Sequence, residues 1–387
     1  MELAIFLCMS ELRTKILGET RRVVVKIGSR ILVDSEKGGV RTAWIERFCA
    51  SIAKLRESGK DVVVVTSGAV GTGMAVLGYD RKPDNIAEKQ ACAAVGQIDL
   101  MHTYREMFRR QGLVAGQILL TAEDFRDRAR YKNLQNTLKA LLAKGVIPVI
   151  NENDSVAVAE IKVGDNDKLS SDVALFLDAD LLLLFTDEDG LFDSNPKTNP
   201  QARLLQFVPE ITSEIMSMAG KPGEAGSAVS TGGMRSKLEA IRAVTRSGSN
   251  AFLANGMKVM PHQAILEGAQ GTLFTGAKSK LNSRKRWLSY VSSPKGVLVV
   301  DAGGAKALRE KHSSLLPVGV QSLQGRFTVG DLVEVRTAEG ERLARGVSQF
   351  DAANLKLVLG CKTAQVKSRL GADAPEEVLH KNDMVLL

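Results

Sequence analysis

Cysteine is scarce: Cys8, Cys49, Cys92 and Cys361 are the only four in 387 residues, and they lie far apart. Without paired spacings, neither a disulfide framework nor a Cys-based zinc site can be drawn. The four histidines are scattered and add no metal cluster. The expectation is a reduced, cytoplasmic protein with no protein-built metal site. Long apolar runs are missing as well. Stretches such as 181–185 fall far short of the roughly 20 residues that a membrane span needs, so no membrane role is expected. The apolar run from Leu3 to Met9 follows no basic region and precedes no small-residue cleavage pattern, which reads against a signal peptide. Two phosphate-binding fingerprints are absent. GxxxxGK[ST] does not occur, so there is no Walker A loop, and without GxGxxG a Rossmann dinucleotide site lacks its signature.

Charge of one sign is not in general excess. Lys and Arg number 52 against 44 Asp and Glu, a net charge of +8. Location matters more than size. Five of those charges are Lys278, Lys280, Arg284, Lys285 and Arg286, in a stretch without any Asp or Glu, and residues 295–387 contribute only +2. The excess is one local cluster, read as a solvated linker or an interface segment.

From Arg22 the chain alternates β-branched apolar runs with helical patterns. Runs at 23–25, 62–65, 114–120, 146–150, 181–185 and 251–253 are apolar at nearly every position, the pattern of strands buried on both faces. Helical periodicity lies between them at 44–57, 88–110, 132–143, 169–177 and 234–246. This predicts an α/β domain, a doubly wound, mainly parallel sheet sandwiched by helices, with ligands beyond the carboxyl ends of the strands. After residue 276 short strands separated by Gly, Pro and Asp turns predict a second, mainly β domain. The expected organisation is an extension over 1–20, loosely attached, a first domain over 21–276, a basic linker over 277–294 and a tail domain over 295–387.

The strand ends carry the chemistry. Lys26-Ile27-Gly28-Ser29 sets a mobile cation beside a glycine that lets backbone approach a ligand closely. Residues 66–73 hold three glycines and three hydroxyls, an anion-friendly loop at a helix start; a plain tight turn would look similar. Residues 151–167 hold five carboxylates and three amides, too dense for ordinary turns. Their spacing does not match an EF-hand loop, and they could hold a substrate ammonium or align lysines. Thr186-Asp187 follow the strand at 181–185, where a nucleotide could lie. A four-glycine loop over 223–233 runs into Met234-Arg235-Ser236-Lys237. Lys237 opposes the positive end of its helix dipole, a conflict that phosphate would relieve. Two lysines at opposite edges, glycine loops and carboxylates between them suit phosphoryl transfer, which needs cations on several sides of the moving group.

Assembled, the motifs VVVKIGS (23–29), VVTSGAVGTG (64–73), NENDSVAVAEIKVGDND (151–167), LLLLFTDEDGLF (181–192) and STGGMRSK (230–237) resemble the amino acid kinase family, in particular its glutamate-phosphorylating members. RKRW (284–287) and the tail extend the likeness, and the tail resembles a PUA domain. The resemblance implies ATP-dependent phosphorylation of the L-glutamate side-chain carboxylate, for proline biosynthesis, with feedback inhibition by proline. It puts Lys26 and Lys237 on the transferring phosphoryl group, with Asp167 holding both. Ser67, Asp154 and Asn166 would bind glutamate, with Asn151 and Asp165 nearby. Lys26, Gly28, Thr186, Asp187, Thr231, Gly232, Gly233, Met234, Arg235, Ser236 and Lys237 would line the ATP site. Mg²⁺ would be held mainly through nucleotide phosphates. A homotetramer and contact with glutamyl phosphate reductase also fit the resemblance. Arg30 stands where the family commonly has a small residue. The competing readings are another phosphotransferase of the family and weak RNA binding through the PUA-like tail.

Overall fold

The computed structural model describes residues 12–34, 39–156, 166–196, 198–219, 233–277, 294–311 and 313–387, without the side chains of 126, 128, 310 and 311. The chain divides into two compact units, Met1–Lys280 and Leu281–Leu387.

The first unit is built on eight strands: β1 (Arg22–Ile27), β2 (Asp61–Val65), β3 (Ala115–Leu120), β4 (Ile147–Glu152), β5 (Leu181–Thr186), β6 (Phe207–Val208), β7 (Asn250–Asn255) and β8 (Thr272–Phe274). They lie in the order β3-β4-β2-β1-β5-β7-β8-β6. The β7–β8 pair is antiparallel and every other pair is parallel. Six helices matter to the site: α1 (Thr42–Glu57), α2 (Ala69–Val76), α3 (Ile86–Arg110), α4 (Arg128–Ala143), α5 (Asn166–Leu177) and α6 (Met234–Arg246).

Alternation along β1 decides what each face receives. Val23, Val25 and Ile27 join the cluster formed by Trp44 and Phe48 of α1 and Tyr104 and Phe108 of α3. Val24 and Lys26 face the other way, and Lys26 meets the start of α5. The central strands β1 and β5 are buried along nearly their whole length, as continuous apolar runs predict. The run at 114–120 differs. Its strand β3 is the edge of the sheet, where Gln117 and Leu119 are exposed, so an apolar run here does not mean burial on both faces. The short strands β6 and β8 were not predicted. They extend the sheet past β7, where Thr272 and Leu273 pair with Leu253 and Phe252.

The tightest packing in this unit joins α2 to α3. A Cβ on Gly73 would lie 1.8 Å from the Cys92 carbonyl oxygen, and one on Gly96 would lie 2.1 Å from that of Ala69. Gly96 therefore packs within the unit, whereas Ala91 and Ala94 of the same helix are exposed.

Of the N-terminal extension, residues 1–11 lie outside the described residues. Residues 12–18 include a helix whose Leu17 is buried in the core, and Arg13 lies 4.7 Å from the Phe252 ring centroid. Lys60 Nζ donates to the Thr20 carbonyl at 2.6 Å. This part is packed on the sheet, not loosely attached.

The second unit carries a five-stranded sheet. Its strands are β9 (Gly296–Val300), β10 (Val320–Gly325), β11 (Leu332–Arg336), β12 (Arg342–Ser348) and β13 (Leu379–Leu386), in the order β10-β9-β11-β12-β13. Helices α7 (Ala302–Lys311), α8 (Ala352–Leu357) and α9 (Thr363–Leu370) accompany it. Leu298, Leu308, Phe327, Val333, Val335, Leu355 and Val366 share one buried core. Helix α9 was not predicted, since it buries little beyond Val366. On the other face Glu334 is 1% exposed beneath Arg336, Arg342 and Arg345. The basic cluster at 278–286 lies outside the described residues.

Candidate active site

Four neighbouring parallel strands, β4, β2, β1 and β5, end side by side, and their ends supply the candidate residues. Lys26 is registered with Val65 on one side and Leu184 on the other. Asn151 and Glu152 close β4, Thr66 and Ser67 follow β2, and Thr186 closes β5 with Asp187 next after it. Two helix starts complete the ring. Asn166 and Asp167 open α5, and Lys237 lies in the first turn of α6.

Asp167 is the hub. Its Oδ1 lies 2.7 Å from Lys26 Nζ, a contact of charge more than of straight hydrogen bonding, and its Oδ2 accepts from Lys237 Nζ at 3.2 Å. The Ser236 hydroxyl lies 2.9 Å from Oδ2 and equally close to the Gly233 carbonyl oxygen. Lys26, Asp167 and Lys237 are all buried. Burial alone would raise the Asp167 carboxyl, yet the charges of Lys26 and Lys237 hold it below the usual carboxylate range. Among the described residues, two ammonium groups share this one carboxylate, an arrangement suited to an anion. Gly28 keeps room there, because a Cβ on it would stand 3.9 Å from Lys26 Nζ.

Next to the hub lies a ladder of amides. Asn166 Nδ2 donates to the Thr66 carbonyl, to Ser67 Oγ at 3.0 Å and to Asn151 Oδ1 at 2.8 Å. Asn151 Nδ2 donates in turn to Gln97 Oε1 at 2.8 Å. Glu152 and Asp154 flank this ladder half-buried. Burial, then the neighbouring Asp154, pushes the Glu152 carboxyl up to about 7, and burial also raises Asp154 despite nearby Lys82. Two carboxyls that resist ionising together would be relieved by a cation such as an ammonium.

On the other side, Asp187 is gripped at both oxygens. Thr186 Oγ1 donates to Oδ1 at 3.0 Å and Arg30 Nη1 pairs with Oδ2 at 2.7 Å. Burial opposes ionisation of Asp187, but these partners hold it below its ordinary value. Asn255 Nδ2 donates to the Asp187 carbonyl at 3.1 Å.

The structure thus brings together Lys26, Lys237, Asp167 and Ser236 in one cluster, and Ser67, Asn151 and Asn166 in another beside it. Thr186 and Asp187 stand at the next strand end. Gly233 caps α6. Met234 lies in its first turn, while Arg235 turns along the helix toward Glu239. Asp165, Thr231 and Gly232 lie outside the described residues. Sequence reasoning missed Gln97, which sits mid-helix in no motif, and Tyr104, whose hydroxyl meets Thr66 Oγ1 at 3.1 Å.

A profile of the amino acid kinase family matches residues 21–255, and one of the PUA domain matches residues 296–370. The chain belongs to the amino acid kinase family. As a member it is a kinase, with ATP as the phosphoryl donor. This amino acid kinase is similar over nearly its whole length to curated relatives named glutamate 5-kinase. That of Bradyrhizobium diazoefficiens is 44% identical over 370 residues, covering 96% of this chain and 98% of the relative. That of Trichlorobacter lovleyi is 45% identical over 377 residues, covering 97% and 99%. That of Moorella thermoacetica is 43% identical over 372 residues, covering 96% and 97%. Strand β13 lies beyond the matched PUA segment and still completes the second sheet by pairing with β12. Among the described residues no helix is long and apolar enough to cross a membrane.

Proposed function

We propose that this kinase transfers the terminal phosphoryl group of ATP to the side-chain carboxylate of L-glutamate, giving L-glutamyl 5-phosphate. The observation that carries the reading is the buried pair of lysines sharing Asp167 at the strand ends, in a chain alike throughout to glutamate 5-kinases.

The acceptor carboxylate is already ionised at neutral pH, so the reaction needs no general base. Catalysis then rests on alignment and on charge placed where negative charge moves. Lys26 and Lys237 flank the migrating group. Near an effective dielectric of 20, an ammonium about 4 Å from one phosphoryl charge contributes on the order of 4 kcal/mol before desolvation. Asp167 holds both ammonium groups in position and touches neither substrate. Ser67, Asp154 and Asn166 bind glutamate together with Asn151, and Asp154 balances its ammonium. Thr186, Asp187, Gly28 and the segment Thr231 to Lys237 bind the nucleotide.

Mg²⁺ would enter as a companion of the nucleotide, held mainly by its phosphate oxygens. Among the described residues no three His, Cys, Asp or Glu side chains gather as a metal cage, while the strand ends offer ammonium and amide donors for phosphate. The ion supplies charge neutralisation on the phosphates.

Feedback inhibition by proline, a homotetramer and contact with glutamyl phosphate reductase rest on the family resemblance, and cytoplasmic location on the scarce, unpaired cysteines. A second reading, weak RNA binding by residues 295–387, draws on the PUA likeness, against a local balance of only +2.

Incubation of the purified protein with ATP, Mg²⁺, glutamate and hydroxylamine tests the reaction. Glutamyl hydroxamate and ADP should accumulate together. ADP release that ignores glutamate, or that follows another acceptor, would contradict the proposal.

A further inference from the structure

The amide ladder has a polarity fixed by two backbone anchors. Asn166 Nδ2 donates to the Thr66 carbonyl, which can only accept. The Glu152 backbone N–H, which can only donate, reaches Asn151 Oδ1 at 3.0 Å. Asn151 therefore offers its oxygen inward, where Asn166 Nδ2 meets it at 2.8 Å, and its nitrogen outward, to Gln97 Oε1 at 2.8 Å. Each amide end is assigned by the one before it. Gln97 Nε2 is what remains, buried and without an acceptor among the described residues.

A buried amide donor left unpaired is costly and uncommon. Gln97 is also rigidly placed. It follows Gly96, whose backbone presses against Ala69 and Gly73 so closely that a Cβ would not fit. The backbone that carries Gln97 is thereby fixed against α2.

The position of this donor selects its ligand. Asn166 adjoins Asp167 and the lysine pair, and two further hydrogen bonds of about 3 Å each lead outward to Gln97. A molecule with one carboxylate at the lysines and an acceptor-only oxygen at its far end would span that ladder. We propose that Gln97 is a substrate-binding residue whose Nε2 donates to the α-carboxylate of the amino acid, the carboxylate that is not phosphorylated. The inference rests on the reaction proposed above, and it makes Gln97 a determinant of specificity for an acceptor that carries carboxylates at both ends.

Two variants test it in steady-state kinetics at about pH 8, where an introduced carboxylate is ionised. Gln97→Glu keeps an oxygen for Asn151 and puts a second oxygen where the donor was. Its KM for glutamate should rise roughly 10- to 100-fold. Gln97→Met removes the donor without adding charge, and its KM for glutamate should rise roughly 10-fold. In Gln97→Glu the KM for ATP, the kcat at saturating glutamate and the melting temperature without ligand should stay near wild type. An unchanged KM for glutamate in both variants would overturn the inference. So would a parallel rise of both KM values with a lowered melting temperature, since the amide would then serve packing alone. Wild-type protein that forms no glutamyl hydroxamate would instead fail the reading of the reaction itself.

Discussion

Among the described residues, two ammonium groups share one buried carboxylate, and that sharing makes the three residues respond differently to substitution. Lys26→Met or Lys237→Met leaves Asp167 with a single balanced partner, so the fold should tolerate either change. Turnover should fall roughly 100- to 1000-fold, as for loss of one donor to a developing charge. Asp167→Asn does the reverse, taking from two buried ammonium groups the carboxylate that they share. It should cost about 3–5 kcal/mol in stability, read by denaturant unfolding. Because the folded Asp167 carboxyl lies below its ordinary value, its contribution is present above the unfolded pKa near 4 and is lost as pH falls through the lower, folded value. Glu152 has the opposite sign. Pushed up to about 7, it favours the folded state below its unfolded pKa, and that contribution is lost as pH rises toward 7. An ammonium ligand beside Glu152 favours its ionised form, so the KM for glutamate should fall as pH rises through about 7. A flat KM from pH 6 to 8 would remove that pairing. Arg30 holds Asp187 from a partly exposed position. Such pairs are worth about 1 kcal/mol at most, so Arg30→Ala should raise the KM for ATP by about fivefold or less and leave kcat near wild type.

At the scale of elements, the site depends on how closely α2 and α3 approach. Gly96→Ala would drive a methyl group into the Ala69 carbonyl, and it should destabilise by at least about 3 kcal/mol in thermal or denaturant unfolding. The central parallel strands were legible because β1, β2 and β5 are apolar at almost every position and bounded by polar turns. Edge position was only faintly legible: 114–120 differs from its neighbours by Gln117 alone, and pairing shows that β3 has one neighbour instead of two. Strands of two or three residues such as β6 and β8 carry too few side chains for a period to emerge. The candidate site was legible in part for a related reason. Lys26, Ser67, Asn151 and Asp187 lie at strand ends, where an α/β fold concentrates ligands. Gln97 sits mid-helix, and nothing in local spacing distinguishes it from a surface glutamine.

For the molecule as a whole, the division into two compact units implies two folding units. Residues 294–387 share their own buried cluster, from Leu298 to Met384, and sheet order β10-β9-β11-β12-β13 closes without strands from the first unit. Expressed alone, this segment should melt in one cooperative transition; a gradual, non-cooperative melt would contradict that. The change of character after residue 276 was visible in composition and turn spacing. The meeting of Lys26, Asp167 and Lys237 was not, because residues from β1, α5 and α6 converge only once the sheet is wound. Single-turnover formation of glutamyl phosphate by Lys26→Met and Lys237→Met measures what that convergence does. Each variant should still bind ATP and glutamate but form product at least roughly 100-fold more slowly. A rate within a few-fold of wild type for either variant would contradict that expectation.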